Sequence, residues 1–171
     1  MKKEQTCCFT GHRQIPKSEV GNLKEKLKQA ILRLCVEGVV YFGSGGALGF
    51  DMLAAQCVLE LKQIYPQLKL IMVLPCKEQA YRWSNEDKSI YAMILHLADK
   101  VTYTSEHYTR YCMHVRNRHL VDNSNYCICY LNKSDGGTAY TVSYAINKGL
   151  KIINLSNEDF EEIHNKSRKL N

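Results

Sequence analysis

Six short apolar runs alternate along this chain with five stretches whose apolar residues recur every three or four positions. The runs are "TCCFTG" (6–11), "VVYFG" (39–43), "LKLIMVLP" (68–75), "KVTYT" (100–104), "YCICYL" (126–131) and "KIINL" (151–155). The third is apolar almost throughout, as a strand covered on both faces requires. Ser18 to Glu37 sets Val20, Leu23, Leu27, Ala30, Ile31 and Leu34 on one helical face, and Phe50 to Tyr65 does the same with Leu53, Cys57, Leu61 and Ile64. Asn85 to Ala98, His107 to Asp122 and Gly137 to Lys148 read as the other helices. Such alternation leaves few topologies, because right-handed crossovers lay parallel strands side by side with helices on both faces. The expectation is an α/β fold, a Rossmann-like three-layer α/β/α sandwich with a mainly parallel sheet, formed by residues 1–171 as one domain.

A chain of 171 residues buries roughly 70% of its unfolded surface, so it needs no covalent staples. Its eight cysteines, at 7, 8, 35, 57, 76, 112, 127 and 129, form no C-x-x-C pair and accompany no His pair at zinc spacing. They read as reduced packing thiols, with Cys127 and Cys129 on one face of a buried strand; no metal is expected, and the identity of any cofactor is left open. No run approaches the roughly 18 apolar residues of a membrane span, and no long apolar segment follows the first lysines. A reducing cytoplasm is the expected setting. The net charge of +6, from 23 Lys+Arg against 17 Asp+Glu, permits an anionic ligand without requiring one. The polar end "EEIHNKSRKLN" is expected to fray.

In an open parallel sheet, ligands bind beyond the carboxyl ends of the strands. The first strand is followed by Gly11, His12 and Arg13, the second by Gly43, Ser44, Gly45, Gly46 and Gly49 and then Asp51, the third by Gln79, Tyr81, Arg82 and Trp83, and the fifth by Asp135, Gly136, Gly137 and Thr138. The two glycine loops each precede a helix. Glycine lets backbone approach a ligand closely, and a helix start supplies unpaired N–H groups that suit a phosphate; the alternative is a tight turn whose glycines only permit close packing. Neither loop is a dinucleotide or P-loop fingerprint. Asp51 reads as a helix-start residue or as an acceptor for a ribose hydroxyl or a catalytic carboxylate. Arg13 reads as a phosphate clamp or a surface ion pair, His12 as an acid–base group or a hydrogen-bonded structural one. Trp83 and Tyr81 either stack on a base or cap the core.

Four ordered motifs carry a family resemblance: "TGHR" (10–13), "GSGGALGFDMLAAQ" (43–56), "LPCKEQAYRWS" (74–84) and "SNYCICYLNKSDGGTAYTVSYA" (124–145). Together they resemble the YpsA-like family of the SLOG superfamily, which also contains the DNA-processing protein DprA/Smf and the cytokinin-activating LOG phosphoribohydrolases. The resemblance covers nearly the whole chain. It implies a Rossmann-like fold and a nucleotide or nucleotide-derivative ligand, and supplies no activity. "MHVRNRHLVDNSNYCICYL" (113–131) is similar to the LOG pattern Met-His-x-Arg-Lys, which puts Arg116 on the active-site arginine of those enzymes. The LOG lysine is Asn117 here, and the glutamate of Pro-Gly-Gly-x-Gly-Thr-x-x-Glu falls on Thr141 or Ser143. Hydrolysis of an N-glycosidic bond develops a cationic sugar that a carboxylate stabilises, so LOG chemistry in the LOG arrangement is not expected. Any catalysis would fall to Arg116 with Asp51 or Asp135.

The favoured function is binding of a phosphate-bearing nucleotide such as ADP-ribose or NAD, as a sensor or regulator. A hydrolase of a nucleotide's glycosidic or phosphate bond is the second reading. DprA-like DNA binding is the third, because the charge is modest and no aromatic stripe interleaves the basic residues. Self-association is left open, and no membrane partner is expected.

Overall fold

In the computed structural model, residues 2–156 are described; the polar end 161–171 lies outside the described residues. Six strands, β1 (Thr6–Gly11), β2 (Tyr41–Ser44), β3 (Lys69–Leu74), β4 (Lys100–Tyr103), β5 (Tyr126–Tyr130) and β6 (Lys151–Asn154), form one sheet in the order β4-β3-β2-β1-β5-β6. Every pairing is parallel. The helices between them are α1 (Lys17–Val36), α2 (Phe50–Lys62), α3 (Asn85–Leu97), α4 (Cys112–Asp122) and α5 (Gly136–Asn147). The chain lays β1 to β4 outward in one direction, then returns to set β5 beside β1, so the topological switch falls between β1 and β5.

Side-chain alternation along the strands divides the interior into two cores. Cys7 and Phe9 of β1, Phe42 of β2, Leu70, Met72 and Leu74 of β3 and Ile128 of β5 pack against Leu27, Ile31, Phe50, Val58 and Ile94 of α1, α2 and α3. On the opposite face Cys8, Ile71, Val73, Cys127, Cys129 and Ile152 pack against Leu120 and Val121 of α4 and Val142 and Ala145 of α5. The period-two pattern of each strand and the three-and-four spacing of each helix therefore point at one another. Helices α1 and α5 stop at Gly38 and Gly149, whose φ of 91° and 78° few other residues adopt. Helix α3 starts at Ser84, whose Oγ accepts the Asp87 N–H at 3.1 Å.

Helix α4 starts five residues later than its sequence pattern implies. The stretch 107–111 is a loop, with Tyr108 and Tyr111 in solvent and no side-chain cap at Tyr111. Nothing apolar in that stretch has a face to bury, so the helical period begins only at Cys112. Among the described residues, no helix is long and apolar enough to cross a membrane.

Candidate functional site

The carboxyl edge of the sheet holds a cavity of about 610 Å³, lined by residues from the loops after β1, β2, β3 and β4 and from the first turn of α4. Arg13 comes from the first loop, Leu48 from the second, Glu78, Gln79, Tyr81, Arg82 and Trp83 from the third, Tyr108 from the fourth and Met113 from α4. The short 3-10 turn Lys77–Ala80 and the capped start of α3 fix the third loop. Trp83, half-buried between them, packs edge-to-face on Tyr91 with ring centroids 5.1 Å apart. It therefore caps the core with one edge while it walls the cavity. Tyr81 stands in solvent, 79% exposed. Among the described residues, the Arg13 and Arg82 side chains form no hydrogen bond or ion pair, and they line the cavity together with the acidic Glu78.

Under this cavity lies a buried ion pair. Arg116, on α4, is 4% exposed, and Asp51, in the first turn of α2, is 6% exposed. Nη1 of Arg116 donates to Oδ2 of Asp51 at 3.2 Å, and Nη2 lies 3.7 Å from the Met113 sulfur. The arginine crosses the carboxyl end of β2 to do this, so the pair ties the helical layer on one face of the sheet to the layer on the other. Burial pushes the Asp51 carboxyl above its ordinary value, opposed by Arg116 and the Ala47 N–H. Burial likewise lowers Arg116, opposed by Asp51. Interior ion pairs hold only when the geometry repays desolvation of both charges.

The glycines of residues 43–49 make room for protein groups. A Cβ on Gly45 would stand 1.1 Å from Nη1 of Arg116, one on Gly49 2.2 Å from the Arg13 carbonyl oxygen, and one on Gly46 or Gly43 2.9 Å from Met72 or Leu120. Gly11 is filled in the same way by the Phe50 ring. The loop also consumes its own N–H groups: Gly46 N donates to Ser44 Oγ at 3.1 Å, and Phe50 N to the His12 carbonyl at 3.2 Å. Ser44 Oγ in turn donates to the Asp51 carbonyl at 2.9 Å. Of the two glycine loops, this one is packed as a tight strand-to-helix turn.

The second glycine loop is different. Gly136 and Gly137 open α5 with nothing within 4 Å of an added Cβ. Asp135 occupies the N-cap position without a side-chain cap bond, and Asp135, Gly136 and Gly137 are exposed, with Thr138 half-buried. These four residues stand at the switch between β1 and β5, outside the walls of the cavity. His12 holds the two neighbouring loops together there, because its Nε2 accepts the Asn132 N–H at 3.2 Å while its ring packs edge-to-face on Tyr130. Burial and Lys133 lower the His12 pKa from 6.5.

Only the neutral imidazole can accept from Asn132. A histidine whose folded pKa is depressed contributes stability that is present above 6.5 and lost as the pH falls through its lowered value. The protection factor of the Asn132 amide, its NMR exchange rate compared with the intrinsic base-catalysed rate at each pH from 7 to 5, is expected to fall as the bond is lost. In His12→Phe the protection is already low at pH 7 and shows no pH step of its own.

The structure thus brings Arg13, Gln79 and Trp83 to one cavity, stacks Gly45, Asp51 and Arg116 beneath it, and sets His12 and Asp135 to Thr138 beside it. Sequence reasoning missed Leu48, Glu78, Tyr108 and Met113 as lining residues. Tyr108 was hidden by its place in an expected helix, although two tyrosines within "HYTRY" without apolar periodicity mark an exposed aromatic loop. Among the described residues, no group of three or more His, Cys, Asp or Glu could hold a metal ion.

Fold and edge together define a Rossmann-like α/β domain with a cavity beyond the carboxyl ends of its strands. The chain belongs to the YspA SLOG family, whose family model matches residues 7–158. It is 32% identical over 136 residues to the uncharacterized SPbeta prophage-derived protein YoqJ of Bacillus subtilis, a match covering 72% of this chain and 80% of YoqJ. Its backbone is similar to DNA processing protein A of Streptococcus pneumoniae, with a TM-score of 0.64 and 19% identity over 88% of this chain. The chain spans 50% of that protein. It is also similar to DNA processing protein A of Helicobacter pylori, described with a single-stranded DNA binding mode, at a TM-score of 0.61 and 16% identity over 88% of this chain and 64% of that one. At these identities the two likenesses establish the fold.

Proposed function

We propose that this domain binds a phosphate-bearing nucleotide of the ADP-ribose or NAD type and acts as a sensor or regulator. The observation that carries the reading is the cavity of about 610 Å³, within the roughly 300–1,000 Å³ of small-molecule sites, with an aromatic wall on one side and Arg13 and Arg82 at its mouth. The base packs against Trp83 and Tyr108, and the phosphates meet Arg13 and Arg82, whose planar guanidinium groups suit phosphate oxygens. The open start of α5 at Gly136 and Gly137 offers a further anchor to a ligand long enough to reach it.

The hydrolase reading ranks second, because the buried Asp51 carboxylate is engaged by Arg116 and the Ala47 N–H and is not among the residues lining the cavity. DNA binding ranks third: the likeness to DNA processing protein A supports it through the fold alone.

Trp83, the single tryptophan, reports on the site. Titration with ADP-ribose, NAD or adenosine monophosphate is expected to change its fluorescence, whereas ribose 5-phosphate leaves it unaltered. An equal response to ribose phosphate, or none to any nucleotide, defeats the base-packing reading. Chromatography of the same mixtures separates a binder, which returns its ligand intact, from a hydrolase.

A further inference from the structure

Helices α4 and α5 pack on the same core over one face of the sheet, and their outer rows meet as a ladder of cations and tyrosines. His114, Arg118 and Asp122 are spaced by four on α4, as are Tyr140, Tyr144 and Lys148 along and just past α5, so each set forms one row. Nε of Arg118 donates to the Tyr140 hydroxyl at 2.8 Å, and the guanidinium stands 5.7 Å and 5.5 Å from the Tyr140 and Tyr144 ring centroids. Lys148 Nζ lies 5.2 Å from the Tyr144 centroid and 3.3 Å from Asp122 Oδ1, while His114 packs edge-to-face on Tyr140. No aromatic stripe interleaves the basic residues in the sequence; this one forms only when the two helices pack.

Arg118 is left without a carboxylate of its own. Helix α5 has no acidic residue, and Asp122, the one acid of α4, is taken by Lys148 and Tyr144. The cations of the opposite layer are served differently, since Glu60 meets Lys24 and Lys28, and Asp99 meets Lys62 and Lys69. Held by two rings and a hydroxyl, the exposed Arg118 guanidinium keeps one orientation, and its remaining N–H groups suit a planar carboxylate. Tyr111 and Val115, 63% and 47% exposed, precede it at i, i+4 and i+7 spacing and set apolar surface beside the fixed cation. Tyrosine and arginine are the side chains that anchor protein interfaces. The Tyr140 and Tyr144 rings are already engaged by each other, by Arg118 and by Lys148, which favours a carboxylate over a stacked nucleic-acid base. We infer that this face docks an acidic segment of a partner protein, one carboxylate of which seats on Arg118 while an apolar side chain of the same segment covers Tyr111 and Val115. Such docking needs no nucleotide in the cavity.

The probe is a fluorescein-labelled peptide of alternating glutamate and leucine pairs, titrated in about 0.15 M salt, where distant charges are screened, with a labelled oligothymidylate of matching length in parallel. Wild type is expected to bind the peptide in preference to the oligonucleotide, and Arg118→Ala to weaken peptide binding about tenfold, the loss of a charged hydrogen-bonded pair. Arg118→Lys keeps the charge without the fork and recovers little of that loss. Lys17→Ala, which removes the same unit of charge from the exposed start of α1, changes the affinity by less than about twofold. Equal losses in Arg118→Ala and Lys17→Ala, or no peptide binding by the wild type, overturn the inference. Tighter binding of the oligothymidylate, lost in Arg118→Ala, overturns it as well and assigns the face to nucleic acid. Should Arg118→Ala fail to fold, amide NMR shifts of the wild type on adding the peptide decide: the largest fall on Tyr111 to Arg118 and Tyr140 to Lys148, and a maximum elsewhere overturns the inference.

Discussion

Gly45→Ala is expected to destabilise the protein by about 3–5 kcal/mol, the cost of breaking a buried ion pair on one side. A single methyl has this effect because the space it needs is the Arg116 guanidinium, 1.1 Å from the new Cβ. An arginine tip at a surface would swing aside. This one is enclosed, and moving it leaves the Asp51 carboxyl in the interior with the Ala47 N–H and the charge of Arg13 in place of its ion-pair partner. Denaturant unfolding of Gly45→Ala and Arg116→Ala is expected to give similar losses, and adding Asp51→Asn to either recovers part, because the stranded charge is gone. Gly137→Ala, with nothing within 4 Å of its Cβ, changes stability by less than about 1 kcal/mol. A loss below about 1 kcal/mol in Gly45→Ala would show that the pair yields freely and is not a tie between the layers.

Adenosine monophosphate incubated with the wild-type protein is expected to release adenine about a thousandfold more slowly than with a LOG phosphoribohydrolase, by analogy with the loss of one charge-stabilising group in an active site. The position that resembles the LOG glutamate is Thr141 or Ser143. Thr141 is buried, with its hydroxyl donating to the Gly137 carbonyl at 2.8 Å and accepting from Asn117 at 2.9 Å. Ser143 is exposed on α5. Asp51 is held by Arg116. Among the described residues, Asp135 stands at the start of α5, exposed and without a cap bond. Adenine assays of wild type, Asp51→Asn and Asp135→Asn decide the matter. Release by the wild type at a LOG rate refutes the expectation, and its loss in one variant names the carboxylate responsible.

Strand and helix identities were readable because each element has a face to bury. "LKLIMVLP" is apolar on both sides and became β3, interior to the sheet, and the stripe from Leu23 to Leu34 became the buried face of α1. The loops were harder. Glycine marks equally a backbone approached by a ligand and one approached by another side chain, and only the fold reveals that Arg116, from 71 residues further along the chain, fills the space beside Gly45. The same long-range contact turned Asp51 from a helix-start acid into half of an interior pair. Arg13, Gln79 and Trp83 were legible as candidates because sheet topology alone brings those loops to one edge. Their division into an open mouth and a buried floor depends on packing that no local pattern encodes.

The place of β1 in the sheet also has a consequence for biosynthesis. The strand made first lies at the centre, and one of its two neighbours, β5, begins only at Tyr126. At about 5–20 residues per second, translation of the intervening segment takes roughly 6 to 20 s. Throughout that interval the nascent chain presents the backbone edge formed by Cys7 to Gly11, the one that β5 will cover, without its partner. The ribosome, rather than any local propensity, sets the earliest moment at which this sheet can close.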